Sequence, residues 1–164
     1  MCINMELYHL SEEYSVRKLN DNDIDMIYNL SSGNTLFYRF HPPFVTKESI
    51  KEDMQTLPPN KEYDDKFYIG FFKNNRLIAV MDFICDYPGE KVIFIGLFMM
   101  DSECQGKGIG TRIINDCCSY WKSLNYQKVR LGVDKGNPQS DAFWRKNYFV
   151  KISEDSYVLM ERTL

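Results

Sequence analysis

Several features that would place a chain outside the ordinary globular proteins are scarce in this sequence. Five cysteines among 164 residues are too few, and odd in number, for a disulfide scaffold. Two histidines leave no set of residues with the spacing of a zinc site, so we expect no metal. The 23 acidic residues outnumber the 20 basic ones, which argues against binding to nucleic acid or to an anionic membrane mainly through charge.

Long apolar runs and targeting signals are also missing. The longest apolar run covers residues 92–100, whereas a transmembrane helix needs about 20 such residues. Residues 1–14 lack the basic stretch followed by an apolar stretch that is typical of a signal peptide. We therefore expect a protein of the reduced cytoplasm.

The residues that are present favour one folded domain over residues 1–164. Apolar residues make up 44% of the chain and aromatic residues 15%, which excludes disorder of the whole chain. No repeat, low-complexity segment or linker divides the sequence. A chain of this length can bury roughly two thirds of its unfolded surface.

The first third of the chain predicts a strand, a helix, an aromatic loop and a second helix. Residues 14–19 form the candidate strand, and apolar residues at helical spacing follow until Gly33. Residues 34–44 combine aromatic side chains with two prolines, so we expect an irregular loop there. Thr46 can cap the second helix, which ends at a pair of prolines.

The middle of the chain predicts antiparallel strands. Apolar runs at 67–73, 76–85 and 91–100 are joined by short turns, the first of them Asn74-Asn75. Asparagine tolerates the left-handed conformation that a hairpin turn needs. Both faces of these runs are apolar, so we expect helices on both sides of the sheet.

The last third alternates helices and strands. Residues 108–124 carry apolar side chains on one helix face, and residues 128–133 form a strand. Asn137 followed by proline predicts the start of another helix. Residues 149–152 and 157–161 close the chain as strands.

One turn in this last third is the most informative about function. A buried strand leads into Gln105-Gly106-Lys107-Gly108-Ile109-Gly110-Thr111, which opens an amphipathic helix. The first turn of a helix has backbone N–H groups without partners and a partial positive charge. Glycines let a phosphate approach this backbone closely, and Lys107 and Thr111 could add to the site. The turn therefore predicts a phosphate-binding site.

Two common phosphate-binding patterns do not fit this turn. The mononucleotide pattern G-x-x-x-x-G-K-[ST] does not occur in the sequence. The dinucleotide pattern G-x-G-x-x-G fails because its last position is Thr111 when it starts at Gly106, and Ile113 when it starts at Gly108. Antiparallel strands also precede the turn, instead of an N-terminal βαβ unit.

The spacing Gln105-x-x-Gly108-x-Gly110 resembles the Q/R-x-x-G-x-G/A signature of the GCN5-related N-acetyltransferases, the GNAT family. That family places the signature after the fourth strand, as here, and expects an Asn that opens the next helix, an aromatic pair, a Lys and a Phe. The sequence supplies these as Asn137, Phe143-Trp144, Lys146 and Phe149. The order of elements matches over residues 14–161. The resemblance implies an α/β fold with a mixed, mostly antiparallel sheet of about six to seven strands and helices on both faces.

The resemblance also implies a cofactor and the residues that hold it. Acetyl-CoA would be the acyl donor, with its pyrophosphate on residues 106–111, its pantetheine arm on the backbone of residues 98–100, and its sulfur end near Asn137. The implied reaction is direct transfer of acetyl to a neutral amine, in which a strand N–H would stabilise the oxyanion by roughly 3 kcal/mol. The residues implied in cofactor binding are Phe98, Met99, Met100, Gln105, Gly106, Lys107, Gly108, Ile109, Gly110, Thr111 and Asn137.

The sequence departs from the family pattern at the proton donor. Many members have a tyrosine that protonates the leaving thiolate, and Trp144 stands at that position. An indole N–H is not a useful acid. Tyr148, where a glycine usually precedes Phe149, and Tyr157 are the candidate substitutes. The strand at residues 92–100 holds no carboxylate that could act as a base.

Two functions are compatible with this pattern. The first is an N-acetyltransferase for a primary amine of a small molecule or a peptide, and the second, motivated by Trp144, is a non-catalytic acyl-CoA-binding sensor or regulatory module. Transfer of a longer acyl group is a third reading, which depends on the pocket near Phe98 and Phe143. The oligomeric state is open, with a homodimer as the commonest assembly. The expected acceptor pocket is formed by Phe37, Tyr38, Phe40 and His41.

Overall fold

The fold is built on one seven-stranded sheet, seen in a computed structural model that describes residues 4–164. The strands are β1 Ser15–Lys18, β2 Lys66–Lys73, β3 Arg76–Cys85, β4 Val92–Met100, β5 Lys128–Val133, β6 Val150–Glu154 and β7 Val158–Thr163. Their order across the sheet is β1-β2-β3-β4-β5-β7-β6. Neighbouring strands are antiparallel, except that β4 and β5 run parallel. The predicted mixed, mostly antiparallel sheet is confirmed.

Within residues 4–164, five α-helices connect these strands, and local sequence signals explain where two of them begin. The helices are α1 Ile24–Ser32, α2 Thr35–Phe40, α3 Lys47–Gln55, α4 Ile109–Ser123 and α5 Pro138–Lys146. Thr46 and Ser49 form a reciprocal capping box at the start of α3. The Asn137 side chain accepts hydrogen bonds from the backbone N–H groups of Gln139 and Ser140, which starts α5 as predicted.

The segment expected to be an irregular aromatic loop contains a short helix instead. α2 occupies residues 35–40, and the prolines that suggested a loop lie beyond its end. Phe37 and Tyr38 are partly buried against the core on one side of the sheet. Since a helix places these two rings against the core while pairing its own backbone, burial overrides the loop signal.

Helices cover both faces of the sheet, as predicted. On one face, Ile113, Cys117 and Trp121 of α4 are fully buried against strand residues such as Phe83. On the other face, α1 and α3 pack Ile27 and other side chains against the sheet. Burying an aliphatic or aromatic side chain of this size stabilises the fold by about 1.5–3 kcal/mol. These two cores hold the strands, and therefore the site between them, in fixed register.

The described cysteines are in two chemical states. Cys104, Cys117 and Cys118 are free thiols, whereas Cys85, at the end of β3, is disulfide-bonded, which the cysteine count did not predict. Over residues 4–164, the helices are too short or too polar to cross a membrane. Within the same part of the chain, no three His, Cys, Asp or Glu side chains are grouped as metal ligands would be.

Candidate active site

Strands β4 and β5 are paired over only part of their length. Their register runs from Val92 opposite Lys128 to Ile95 opposite Leu131. β4 then continues to Met100 with pairing to β3 on its other side, while the end of β5 pairs with β7. The two strands separate at this point, so the second half of β4 presents an edge of backbone N–H and C=O groups. Such an edge can hydrogen-bond an extended ligand as a further strand would.

An irregularity in β4 lies at the start of this opening. Asp82 is opposite Leu97 and Phe83 is opposite Ile95, so Gly96 is an extra residue, as in a β-bulge. Bulges of this kind redirect backbone and side chains next to a site. Here the bulge marks the place where β4 parts from β5.

A glycine lies on each side of the opening, and each of the two leaves space for a different polar side chain. A Cβ atom at Gly96 would lie 3.3 Å from Oδ2 of Asp82. A Cβ atom at Gly132, in β5, would lie 2.7 Å from the ring of Tyr157. The carboxylate and the phenol therefore lie directly against the backbones of the two diverging strands.

The glycine-rich turn after β4 presents unpaired backbone N–H groups. Gly106 and Gly108 have φ angles of +74° and +78°, and an added Cβ at either would meet no atom within 4 Å. Gly108 is the N-cap of α4, and the first helical bond is from the N–H of Arg112 to the carbonyl of Gly108, at 3.1 Å. No described residue accepts a hydrogen bond from the N–H groups of residues 106–111. This arrangement fits an anionic group such as a diphosphate.

The signature residue Gln105 ties three elements together around this turn. Its Nε2 donates to Oδ1 of Asn34 at 2.7 Å and to the carbonyl of Met100 at 3.1 Å. Asn34, between α1 and α2, donates to the same carbonyl at 2.9 Å. Nε2 of Gln139, in α5, donates to Oε1 of Gln105 at 3.3 Å. Gln105 therefore fixes the end of β4 relative to the helices on either side.

A cavity of about 360 Å³, here called the donor cavity, lies beside β4 and the start of α4. The predicted cofactor residues that line it are Phe98, Met99, Met100, Gln105, Gly106, Gly108, Gly110 and Thr111. The residues that sequence reasoning did not assign to it are Asn34, Phe37, Gln139, Ser140, Phe143, Trp144 and Lys146. Phe143, Trp144 and Lys146 were noted in the sequence, but which of their side chains face the cavity depends on how α5 packs. The cavity has the size of a small-molecule site.

Three residues predicted to bind the cofactor do not line the donor cavity. They are Lys107, Ile109 and Asn137. Asn137 is 2% exposed, and its side-chain oxygen is engaged in capping α5. Its role in this structure is to begin the helix whose side chains form one wall.

A second cavity, here called the acceptor cavity, has a volume of about 560 Å³ and meets the first one. Phe37, Phe98, Ser140 and Trp144 line both cavities. Of the residues expected to form the acceptor pocket, Phe37, Tyr38 and His41 line this cavity and Phe40 does not. The other lining side chains that bear on its chemistry are Asp53, Lys66, Asp82, Tyr87, Phe94, Asp134 and Tyr157.

The two candidate proton donors lie in different places. Tyr157 lines the acceptor cavity. Tyr148 follows α5 with a φ of +69°, is 73% exposed and lines neither cavity. The guanidinium of Arg162 lies 5.4 Å from the centre of its ring. Tyr148 lies in the short segment between α5 and β6, outside both cavities.

Asp82 supplies the carboxylate that the sequence of β4 lacks. Nζ of Lys66 donates to its two carboxylate oxygens at 2.9 and 2.8 Å, and the two side chains are 5% and 14% exposed. Burial raises the pKa of Asp82 above its ordinary value, and the positive charge of Lys66 opposes this shift. Sequence reasoning missed Asp82 because it searched β4 for a base, whereas this side chain reaches the opening from β3.

Trp144 is a wall between the two cavities. It is 8% exposed, and its ring centre lies 4.9 Å from that of Phe143 and 5.0 Å from that of Phe149, both in edge-to-face geometry. Phe98, on β4, lies 6.0 Å away. Aromatic pairs of this kind are worth about 0.5–1.5 kcal/mol beyond the area that they bury. The tryptophan therefore shapes both cavities by packing.

Comparisons with known proteins find a matching family model and several solved structures with the same fold. Residues 25–149 match the model of the Acetyltransferase (GNAT) family. An acetyltransferase from Thermus thermophilus has a TM-score of 0.76 and 17% identity, covering 92% of this chain and 97% of that one. PaiA N-acetyltransferase from Thermoplasma acidophilum, solved in complex with coenzyme A, has a TM-score of 0.70 and 18% identity, covering 92% and 99%. A spermidine N-acetyltransferase that is a chimera of the Vibrio cholerae enzyme and hSSAT has a TM-score of 0.69 and 18% identity, covering 93% of this chain and 96% of that one. No curated protein shows a significant sequence match.

Proposed function

The chain belongs to the GNAT acetyltransferase family, and from this we propose that it transfers acetyl from acetyl-CoA directly to a primary amine of a small molecule or a peptide. The observation that carries the proposal is the opening between β4 and β5, where the donor cavity meets the acceptor cavity. PaiA and the spermidine enzyme, which share the fold, are both named as N-acetyltransferases. Acetyl-CoA is a substrate in this reaction, and no metal is needed.

The residues of the donor cavity fit the parts of acetyl-CoA. The unpaired N–H groups of residues 106–111 would hold the diphosphate at the positive end of α4. The free edge of β4 beyond Gly96 would hydrogen-bond the pantetheine arm. A β4 N–H next to the bulge would then donate to the thioester oxygen as negative charge develops there, a contribution of about 3–4 kcal/mol to the transition state.

Asp82 is the proposed proton acceptor. A primary amine is mainly protonated at neutral pH and must lose a proton before its nitrogen can attack the thioester carbon. The Asp82 carboxylate lies beside Gly96 at the opening and lines the acceptor cavity. It would accept the proton of an amine in this cavity directly or through one bridging water. Its raised pKa makes it a better proton acceptor than a solvated aspartate.

Tyr157 is the proposed proton donor. As the C–N bond forms, the attacking nitrogen gains a positive charge and releases its second proton to water, the C–S bond breaks, and the electron pair of that bond remains on sulfur as thiolate. The Tyr157 hydroxyl, on the β5 side of the opening, would protonate this sulfur and recover its proton from solvent. This assignment gives the role of the family tyrosine to a residue on a different element from Trp144.

Trp144 also motivates the second candidate function, an acyl-CoA-binding module without catalysis. Its indole N–H cannot protonate a thiolate, and its packing closes part of the space between the two cavities. In that case the donor cavity would bind acetyl-CoA while no amine is consumed.

One experiment separates the two functions. The protein is incubated with acetyl-CoA and a panel of primary amines. The release of free thiol is measured with a chromogenic thiol reagent, and acetylated product is detected by mass spectrometry. Transfer predicts amine-dependent thiol release, with Asp82→Asn lowering kcat at least tenfold while coenzyme A binding, which reports an intact fold, is retained. Tight binding of acetyl-CoA with no product from any amine contradicts the transferase and favours the module.

A further inference from the structure

The acceptor cavity is lined by three aspartates, Asp53, Asp82 and Asp134, which favours a ligand with positive charge. These charges indicate which class of amine the cavity accepts. Resting on the proposed function, we infer that the acceptor is an aliphatic amine that carries a second cationic group and has no carboxylate. The reacting nitrogen would lie at the opening beside Asp82 and Gly96, and the second cation would lie at Asp53, on α3.

The basic side chains in the cavity wall, Lys66 and His41, already have carboxylate partners. Nζ of Lys66 donates to both oxygens of Asp82 and is almost fully buried. Nδ1 of His41 lies 3.0 and 3.1 Å from the two oxygens of Asp134. No other Lys, Arg or His among the described residues lines this cavity. A carboxylate on the ligand would therefore meet three aspartates and no free cation.

Asp53 is the carboxylate in this wall without a partner. No described residue hydrogen-bonds to it or forms an ion pair with it, although Asp82 and Asp134 are both paired. Asp53 is an exposed residue that lines the cavity, and partial desolvation raises its pKa against the opposing influence of Lys66 and His41. A ligand cation would replace the lost hydration of this carboxylate.

Aromatic rings line the same cavity as the two aspartates. Phe37 and His41 are stacked with ring centres 5.2 Å apart, and Tyr87 and Phe94 meet edge to face at 5.5 Å. Such rings accept both the methylene groups of an aliphatic chain and the face of an ammonium group. A cavity of about 560 Å³ has room for a chain that joins two amines.

Three matched ligands test the inference. 1,5-Diaminopentane has both cations, n-pentylamine lacks the second cation, and L-lysine is the diamine with an added carboxylate. We expect kcat/KM for the diamine to exceed that for pentylamine by about two- to fivefold, because an ion pair with an exposed carboxylate contributes about 0.4–1 kcal/mol. We expect L-lysine to be at least tenfold poorer than the diamine.

A pair of variants on α3 assigns the effect to one side chain. Asp53→Asn should abolish the difference in kcat/KM between the diamine and pentylamine, and any effect of the lost charge on the nearby Asp82 should be the same for both amines. Glu52→Gln, at the neighbouring exposed residue that does not line the cavity, should change kcat/KM for neither amine. Equal kcat/KM for diamine and pentylamine, a preference for L-lysine, or a difference between the two amines that is unaffected by Asp53→Asn would each overturn the inference.

Equilibrium binding separates this inference from the proposed function. The three amines are titrated into the protein saturated with coenzyme A, which requires no turnover. A binding preference for the diamine that is lost in Asp53→Asn supports the assigned ligand class even if no amine is acetylated, a result that would contradict acetyl transfer alone. Turnover of pentylamine without any such preference would contradict the ligand class alone.

Discussion

The site for the diphosphate can be tested by placing a negative charge at Gly108. This residue is the N-cap of α4, has a φ of +78°, and has no atom within 4 Å of where a Cβ would lie. A side chain there meets no steric obstacle and projects beside the unpaired N–H groups. We compare Gly108→Glu with Gly108→Gln, which have the same length and the same backbone strain, so their difference is the charge.

Relative to Gln, the negative charge of Glu at position 108 should stabilise the fold and weaken the binding of coenzyme A. The left-handed conformation costs both variants about 1–2 kcal/mol of stability. The carboxylate regains about 0.3–1 kcal/mol from the positive end of the helix, so the Glu variant should unfold at the same or a higher urea concentration than the Gln variant. Against the ligand, one charge pair about 6 Å apart at an effective dielectric constant between 80 and 20 costs roughly 0.7–3 kcal/mol. Coenzyme A should therefore bind the Glu variant about 3- to 150-fold more weakly than the Gln variant.

The assay is calorimetric titration with coenzyme A at low and high salt. Screening shortens the range of the repulsion from about 10 Å at 0.1 M salt to about 3 Å at 1 M, so the gap between the variants should narrow as salt rises. Pantetheine, which lacks the diphosphate, is the control ligand and should not distinguish the variants. Equal coenzyme A affinity of the two variants at low salt would refute a diphosphate site at residues 106–111.

Three further predictions concern the fold that supports the site. Asn137→Ala should lower the free energy of unfolding by about 1 kcal/mol because α5 loses its cap, and Asn137→Asp, which keeps an acceptor, should lose less; equal urea midpoints for Ala and Asp would contradict a capping role. Ile113→Val, at a fully buried site in α4, should cost about 0.5–1.5 kcal/mol with an unchanged urea m-value, and no measurable loss would mean that this core is loosely packed. The bidentate hydrogen bonds from Arg17 lower the pKa of Asp23 below its ordinary value of 3.8. The stability that this pair contributes is therefore present above that ordinary value and is lost as pH falls through the lowered one. Arg17→Met should cost up to about 1 kcal/mol at pH 7 and less at pH 2 in urea titrations, and a cost that is the same at both pH values would show that the ion pair does not stabilise the fold.

Features set by short stretches of sequence could be predicted. Asn74 and Asn75 form the hairpin turn with φ angles of +50° and +64°, and Asn137 begins α5. Each depends on one side chain and its immediate neighbours, so the pattern suffices. The glycine-rich turn is a feature of the same kind, since Gly106 and Gly108 adopt left-handed angles, which glycine adopts at no steric cost.

Features that depend on strand register could not be predicted. Asp82 reaches the opening only because the β3–β4 pairing shifts by one residue at Gly96. Tyr148 and Tyr157 are both near the end of the chain, and only the turn after α5 and the pairing of β7 decide which of them faces a cavity. The α2 helix depends on burial against residues far away in the sequence. No local pattern carries information of this kind.

The two glycines beside the opening also constrain how this protein can change during evolution. Gly96 leaves space for Asp82, and Gly132 leaves space for Tyr157, so a larger residue at either glycine needs a smaller residue opposite. We expect Gly96 to covary with Asp82, and Gly132 to covary with Tyr157, among proteins that descend from the same ancestor. A lineage that fills both glycine positions would have had to replace both Asp82 and Tyr157 with smaller side chains.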